Sequence, residues 1–193
     1  MKITDYLSLN AQPILYEMRC RQEESWNYGK INDRYDYPYL NELFRIINSG
    51  IPKEDFMYQG NLFRIHSAST ISYENIDLSK NILISDIYSD GSCGVLTKTE
   101  LTDKVVAFSK NPDFTRRIFY KIKPSQKAII LFANTNSLYG IDINEFYKHF
   151  GVRNPRFEEE KEVLFPIFKE NIIKEYQCTP RQFKYYMRSL NKR

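Results

Sequence analysis

Residues 157–166 read FEEEKEVLFP, so four carboxylates run directly into a short apolar segment. If a strand begins near Glu160, its two-residue period places Glu160 and Glu162 on one face and Lys161 on the other. A cleft that contains both carboxylates can stabilise a developing cation and polarise a nucleophile. A run of charges is usually a solvated surface, but an exposed loop has no need of the apolar residues that follow Glu162. The stretch therefore predicts a functional carboxylate pair at the start of a buried strand.

Two earlier apolar segments each contain a polar residue where the pattern predicts a strand. Arg64 lies inside LFRI, residues 62–65, where a buried guanidinium needs an anion and its fork suits phosphate or carboxylate. The alternative is an edge-strand arginine that reaches solvent. Ser109 ends the segment VVAFS, residues 105–109, and the alternative for its hydroxyl is a local bond to the backbone. Both are candidate binding residues, and the strength of each assignment depends on which residues lie beside it in the fold.

Short segments rich in Val, Ile, Phe and Leu dominate the sequence after residue 57, and they are bounded by Gly, Asn, Ser or Pro. The predicted strands span residues 61–66, 81–87, 104–108, 118–122, 127–132 and 161–165. Few helical segments lie between them, which favours an α+β fold over a doubly wound parallel sheet.

Helical patterns occupy the beginning of the chain. The spacing of Ile14, Leu15, Met18 and Cys20 after Pro13 indicates one, and a clearer one spans residues 40–47. The second should stop at Asn48-Ser49-Gly50, because glycine adopts the left-handed conformation that ends a helix. The tyrosine-rich residues 27–39 between them are predicted to form a loop. Two further helices are predicted, one at residues 143–149 that ends at Gly151 and one from Thr179, with Thr179 as its N-cap and Pro180 at its first position.

The composition excludes several classes of protein. The chain has 193 residues, of which 42% are hydrophobic and 15% aromatic, enough for one domain with a sizeable core. Its three cysteines are far apart and in no metal-ligand spacing, which indicates reduced thiols. We see neither the apolar core of a signal peptide nor an apolar run long enough for a bilayer, so we expect a cytoplasmic protein with no membrane partner. The net charge, 28 − 24 = +4, permits an anionic partner without requiring one.

The order Arg, Ser, then Glu-x-Glu across one short-stranded domain resembles the arginine-serine-glutamate class of mono-ADP-ribosyltransferases, which includes bacterial toxins. The string EKEVLFP, residues 160–166, is similar to that family's Glu-x-Glu-Val-Leu-hydrophobic-Pro strand. The segments NLFR, residues 61–64, and VAFSK, residues 106–110, are similar to its arginine strand and its Ser-Phe-Ser-Lys motif. The chain departs from the family at Ile65, where glycine is usual, and at Ala107, where a serine is usual.

The resemblance implies a fold, a substrate and a set of roles. The fold would be a split β core of two small, roughly perpendicular sheets with a helical N-terminal lobe, and NAD would be the substrate, with no metal. Arg64 would clamp the pyrophosphate, and Glu162 would stabilise the oxocarbenium-like sugar. Ser109 would bond near the nicotinamide ribose and hold Glu162 in place, while Glu160 would orient and help deprotonate the acceptor. The residues expected to bind NAD are Arg64, Ile65, His66, Ser109, Glu162 and either Phe114 or Phe119, which would stack on nicotinamide.

The sequence leaves two chemical classes of acceptor open. Glu160 favours a protein arginine, because glutamate at that position resembles the arginine-modifying enzymes. The basic balance and the arginine- and aromatic-rich tail, residues 181–193, favour a base of RNA or DNA, although the tail can equally be a helix packed on the core. The residues expected to contact the acceptor are Arg153, Arg156, Phe157 and Glu160.

We expect one ADP-ribosyltransferase domain over residues 1–193, with a helical lobe at 1–57, the catalytic core at 58–176 and a basic tail at 177–193. It is expected to act inside the cell that makes it, as a toxin of a toxin–antitoxin or phage-defence system, with an antitoxin or chaperone as a further partner. Three alternatives remain open. They are a histidine-tyrosine-glutamate transferase built on His66, an NAD glycohydrolase that uses water as acceptor, and a non-enzymatic module that binds RNA or DNA.

Overall fold

The structure is a computed structural model that describes residues 2–26, 37–67, 105–113, 128–153, 158–166, 171–179 and 182. Within these ranges the chain combines three helices with an antiparallel sheet, which confirms the expected α+β class. No helix in this part of the chain is both long and apolar enough to cross a membrane.

Helix α1 spans Ile3–Trp26, which confirms the helical spacing after Pro13 and extends the helix to include this proline in its interior. The first turns form because Ile3, Tyr6 and Leu7 are buried in the core, and this burial outweighs the hydrogen bond that the proline cannot donate.

Two shorter helices follow the sequence pattern closely. Helix α2 spans Pro38–Ile47 and ends where predicted, with Gly50 beyond it in the left-handed region at φ +82°. Helix α3 spans Ile143–His149, as predicted, and the Asp142 carboxylate accepts from the first free backbone N–H groups of that helix.

The described residues also form seven strands. They are β1 (Met57–Tyr58), β2 (Asn61–Ser67), β3 (Val105–Ser109), β4 (Ala128–Asn134), β5 (Gly140–Asp142), β6 (Glu162–Pro166) and β7 (Ile172–Cys178). Four of them confirm predicted strands to within two residues, whereas β1, β5 and β7 were not predicted. The predicted strands at 81–87 and 118–122 lie outside the described residues.

All strand pairs are antiparallel, and the order across the sheet is β1-β5-β6-β3-β2-β4-β7. The resemblance implied two small, roughly perpendicular sheets, whereas the described strands form one hydrogen-bonded sheet that can be divided into two halves. The half β1-β5-β6-β3 joins the half β2-β4-β7 through one described residue pair, Phe63 opposite Ser109. By contrast, β2 and β4 pair over seven residues, and β3 and β6 pair over five.

Among the described residues, the helices pack against one of these halves. The main hydrophobic cluster of described side chains includes residues from all three helices and from β1, β3, β5 and β6. Two buried polar contacts hold helix α1 in place. Arg21 Nε donates to the Val105 carbonyl of β3 at 2.9 Å, and the Glu17 carboxylate accepts from the Leu40 backbone N–H of α2 at 2.8 Å. In the described part of the chain, the helices therefore border the junction from the β3 side.

Candidate functional site

Three neighbouring strands bring the sequence motifs into one row. Phe63 on β2 lies opposite Ser109 on β3, and Ser109 lies opposite Glu162 on β6. Adjacent strands are about 4.8 Å apart, so the backbones of Phe63 and Glu162 are separated by only about 10 Å. Arg64 follows Phe63 directly. The arginine, serine and glutamate motifs, which are 45 and 53 residues apart along the chain, thus meet at one level of the sheet.

Arg64 lies at the fork between the two halves of the sheet. After the Phe63–Ser109 pair, a continued ladder would place Ile65 opposite Ala107, but the described pairing stops. At that point the Arg64 guanidinium donates through Nη1 to the Ala107 carbonyl. Because β2 lies between β3 and β4, the alternative of an edge-strand arginine is wrong. The guanidinium is half-buried and fixed at the place where the two halves separate.

A short 3-10 turn, Glu158–Glu160, leads into β6 and is held along its whole backbone. Each of its carbonyls, and the next one, accepts a hydrogen bond. The donors are Asn144 Nδ2 to Glu158 O (3.1 Å), Asn111 Nδ2 to Glu159 O (3.1 Å), Ser109 Oγ to Glu160 O (2.7 Å) and the Lys110 backbone N–H to Lys161 O (3.1 Å). Three of these donors belong to the residues that end β3. The serine motif therefore acts as a clamp on the segment that carries the glutamates.

The two glutamates are both buried, but not by the strand alternation that the sequence predicted. Glu160 is 4% exposed and Glu162 is 9% exposed, while Lys161 between them is exposed. The condition for that alternation, a strand that begins near Glu160, is not met, because β6 begins only at Glu162. Lys161 has φ +48°, a left-handed conformation that interrupts the extended backbone. Lys161 therefore separates the Glu160 carboxylate, on the turn, from the Glu162 carboxylate, on the strand.

Ser109 makes a different contact from the one predicted. Its hydroxyl donates to the Glu160 carbonyl and accepts from the Asn111 backbone N–H at 2.9 Å. It thus holds the segment that carries Glu162 through the backbone two residues earlier. The alternative of a purely local bond is also incomplete, since the acceptor is 51 residues away.

A buried glutamine that was not predicted contacts the strand carboxylate. Gln22 on α1 donates through Nε2 to Glu162 Oε2 at 2.9 Å, and the Tyr147 hydroxyl donates to Gln22 Oε1 at 3.5 Å. One sequence signal could have found it. Gln22 continues, at intervals of four residues, the face formed by the fully buried Ile14 and Met18, so an amide stands where an apolar residue is expected.

Lys110 and Asp142 form an ion pair that connects the end of β3 to the start of α3. The Lys110 ammonium also lies 5.3 Å from the centre of the Tyr58 ring, within the range of a cation–π contact. Burial, followed by the negative charge of Asp142, raises the pKa of Tyr58. Lys110 therefore helps to hold the end of β3 against the start of α3, next to the site.

The remaining predicted residues are distributed unevenly. Ile65 and His66 lie in β2 opposite Ile130 and Ile129. Arg153 is exposed just after α3. The other predicted contacts, Phe114, Phe119, Arg156 and Phe157, lie outside the described residues. Within the described ranges, no group of three or more His, Cys, Asp or Glu residues could hold a metal ion.

In comparisons with known proteins, the chain matches no family model, no curated protein and no solved structure.

Proposed function

We propose that the protein is a mono-ADP-ribosyltransferase that cleaves NAD and transfers ADP-ribose to a macromolecular acceptor. The observation that carries the proposal is the row across β2, β3 and β6, in which Arg64 adjoins a Ser109–Glu162 pair. A guanidinium suits a substrate that is anionic at its pyrophosphate, and a buried carboxylate suits one that becomes cationic at its ribose.

The reaction would divide charge between the two groups. The bond between C1′ of the ribose and the nicotinamide nitrogen breaks, and its electron pair leaves with nicotinamide as a neutral molecule. The sugar then has oxocarbenium character, which the Glu162 carboxylate stabilises electrostatically because it is fixed beforehand. The acceptor's nucleophilic atom forms the new bond to C1′, and its proton passes to Glu160.

The support around these residues favours catalysis over a solvated charge run. Glu160 and Glu162 are buried in spite of their charge, and the clamped turn holds both. Burying a charged side chain costs free energy unless the charge is paired or hydrogen-bonded. A site fixed before the substrate arrives is also what electrostatic catalysis requires.

The experiment below distinguishes two classes of acceptor, a protein arginine and a base of RNA or DNA. In both cases the protein would act inside the cell that makes it, as a toxin of a toxin–antitoxin or phage-defence system. The identity of Glu160 supports the first class, and the +4 net charge supports the second.

The test combines NAD turnover with acceptor labelling. Purified protein is incubated with NAD labelled in its adenylate half and with whole cell lysate, with or without ribonuclease or deoxyribonuclease, and nicotinamide release is followed in parallel. Glu162→Gln should lower nicotinamide release by about a hundredfold or more. The matched control is Glu158→Gln, which makes the same change at an exposed carboxylate of the preceding turn and should retain release.

The label identifies the acceptor. Labelled protein bands indicate a protein-directed transferase, and nuclease-sensitive label indicates RNA or DNA. Free ADP-ribose formed at full rate without any macromolecule would replace the proposal with an NAD glycohydrolase. No release of nicotinamide, together with salt-sensitive nucleic-acid binding that survives Glu162→Gln, would replace it with a binding module.

A further inference from the structure

The carboxylate proposed to stabilise the sugar is held from outside the sheet, by a side chain of the N-terminal helix. Gln22 Nε2 donates to Glu162 Oε2 at 2.9 Å across 140 residues of sequence, and Gln22 itself is 1% exposed. We infer that Gln22 is a positioning residue for Glu162, which sets the carboxylate for NAD cleavage. This inference rests on the proposed function.

The position of Gln22 is not explained by packing alone. On the same face of α1, Ile14 and Met18 fill the core with apolar side chains. A buried amide at the next position costs stability unless its hydrogen bonds are made. Its two polar atoms contact Glu162 and Tyr147, so the cost is offset only when Glu162 points toward α1.

Tyr147 gives the amide its direction. Its hydroxyl can donate to Gln22 Oε1, and this leaves the Nε2 side of the amide directed at Glu162. The hydroxyl therefore favours the orientation in which Gln22 is a donor to a carboxylate acceptor. A hydrogen bond to a charged group is stronger and more directional than a neutral one.

The helix that carries Gln22 is itself anchored beside the site. Arg21, the preceding residue, donates to the Val105 carbonyl on β3, the strand that pairs with β6. The guanidinium of Arg21 also lies 5.4 Å from the centre of the Tyr37 ring. The distance between Gln22 and Glu162 is thus fixed by a contact between α1 and the sheet.

The experiment measures steady-state nicotinamide release from NAD by the full chain. Gln22→Met keeps the length and packing of the side chain and removes the donor, so kcat should fall about tenfold to hundredfold while KM for NAD changes less than twofold. The matched control is Gln12→Met, the same substitution at an exposed position of α1, which should keep both values. Tyr147→Phe, which keeps the ring, should lower kcat in the same direction by a smaller factor.

A second readout does not depend on turnover. In protein labelled with ¹⁵N-glutamine, the side-chain amide signal of Gln22, assigned by its absence in Gln22→Met, should shift in Glu162→Leu. It should not shift in Glu158→Leu. This establishes the contact in solution, and Tyr147→Phe provides the kinetic test should Gln22→Met fail to fold.

The outcomes separate the inference from the proposed function. If the wild type releases nicotinamide but Gln22→Met and Tyr147→Phe keep its kcat, the inference is overturned and the proposed function stands. If the wild type releases no nicotinamide with any acceptor, the proposed function fails and the inference fails with it. A rise in KM at unchanged kcat would likewise overturn it, since that result assigns Gln22 to substrate binding.

Discussion

Ser109 and Glu162 lie directly opposite each other on neighbouring antiparallel strands, yet the Ser109 hydroxyl donates to the main chain of Glu160 rather than to the Glu162 carboxylate. The serine therefore determines where the acidic segment turns into the strand. Its influence on both glutamates passes through the backbone.

Ser109→Ala should damage both stability and activity. Loss of the 2.7 Å bond to the Glu160 carbonyl should lower the free energy of unfolding by about 1–2 kcal/mol. Nicotinamide release should fall several-fold, because the turn that carries Glu160 loses one of its clamps. Urea denaturation and initial-rate assays check the two effects. Ser109→Thr retains the hydroxyl and should recover most of the activity, and a Thr variant as impaired as Ala would contradict this role.

The ion pair between Lys110 and Asp142 should contribute measurably to stability. The Asp142 side chain is 4% exposed and that of Lys110 is 25% exposed, so solvent screens the pair only in part. Asp142→Asn retains an N-cap residue for α3 and should still lower the free energy of unfolding by about 1–3 kcal/mol.

The interaction itself can be isolated with a double-mutant cycle. Lys110→Met, Asp142→Asn and the double variant, measured by urea denaturation, should give a coupling energy of about 1 kcal/mol. Strictly additive effects would show that the two side chains act independently.

The proline inside α1 should limit the stability of the helix. Pro13 has no N–H to donate to the preceding turn, so Pro13→Ala should raise the free energy of unfolding by about 1–3 kcal/mol. Thermal denaturation by circular dichroism checks this. Gln12→Ala, an exposed neighbour on the same helix, should change stability by less than about 0.5 kcal/mol. A lower melting temperature for Pro13→Ala would contradict this expectation.

Alkaline pH should destabilise the fold through Tyr6. Burial, assisted by the charges of Glu42 and Glu17, raises the pKa of Tyr6 from 10.0 to about 12. Because the folded-state pKa lies above the unfolded value, the neutral phenol stabilises the fold fully below pH 10. That contribution is lost as pH rises from 10 toward 12.

The comparison is between the wild type and Tyr6→Phe, which lacks both the titration and the bond to the Tyr39 carbonyl. The wild type should be the more stable of the two at pH 9, and its advantage should shrink by pH 12. Urea midpoints at a series of pH values measure it. An advantage that stays constant across this range would contradict the assignment.

Local signals account for the parts of the fold that the sequence predicted well. Helix α3 begins after Asp142, whose carboxylate caps it, and Gly151 follows with φ +62°. Each of these features depends on residues within one helical turn of it. The strands β2, β3, β4 and β6 were predicted because their apolar residues are long, branched or aromatic and lie between breakers.

The missed elements depend on partners far away in sequence. Strand β5 has three residues and is buried because it pairs with β6, and β7 carries Lys174, Glu175 and Gln177 among its apolar residues. The role of Gln22 depends on its contact with Glu162, which lies 140 positions away in the sequence. Nothing local in the sequence marks Lys161 as left-handed, so the sequence does not predict the turn at Glu158–Glu160.

The single pair that joins the two halves of the sheet has a mechanical consequence. Within the described residues, a shear or twist between the halves would strain the Phe63–Ser109 pair, the contact of Arg64 with the Ala107 carbonyl and the hydrogen bond from the Tyr58 hydroxyl to the Asn61 carbonyl. Every other described strand boundary has at least two residue pairs, so compliance should concentrate at this seam. Relative motion there would change the spacing of β2 and β3 at the level of Arg64 and Ser109.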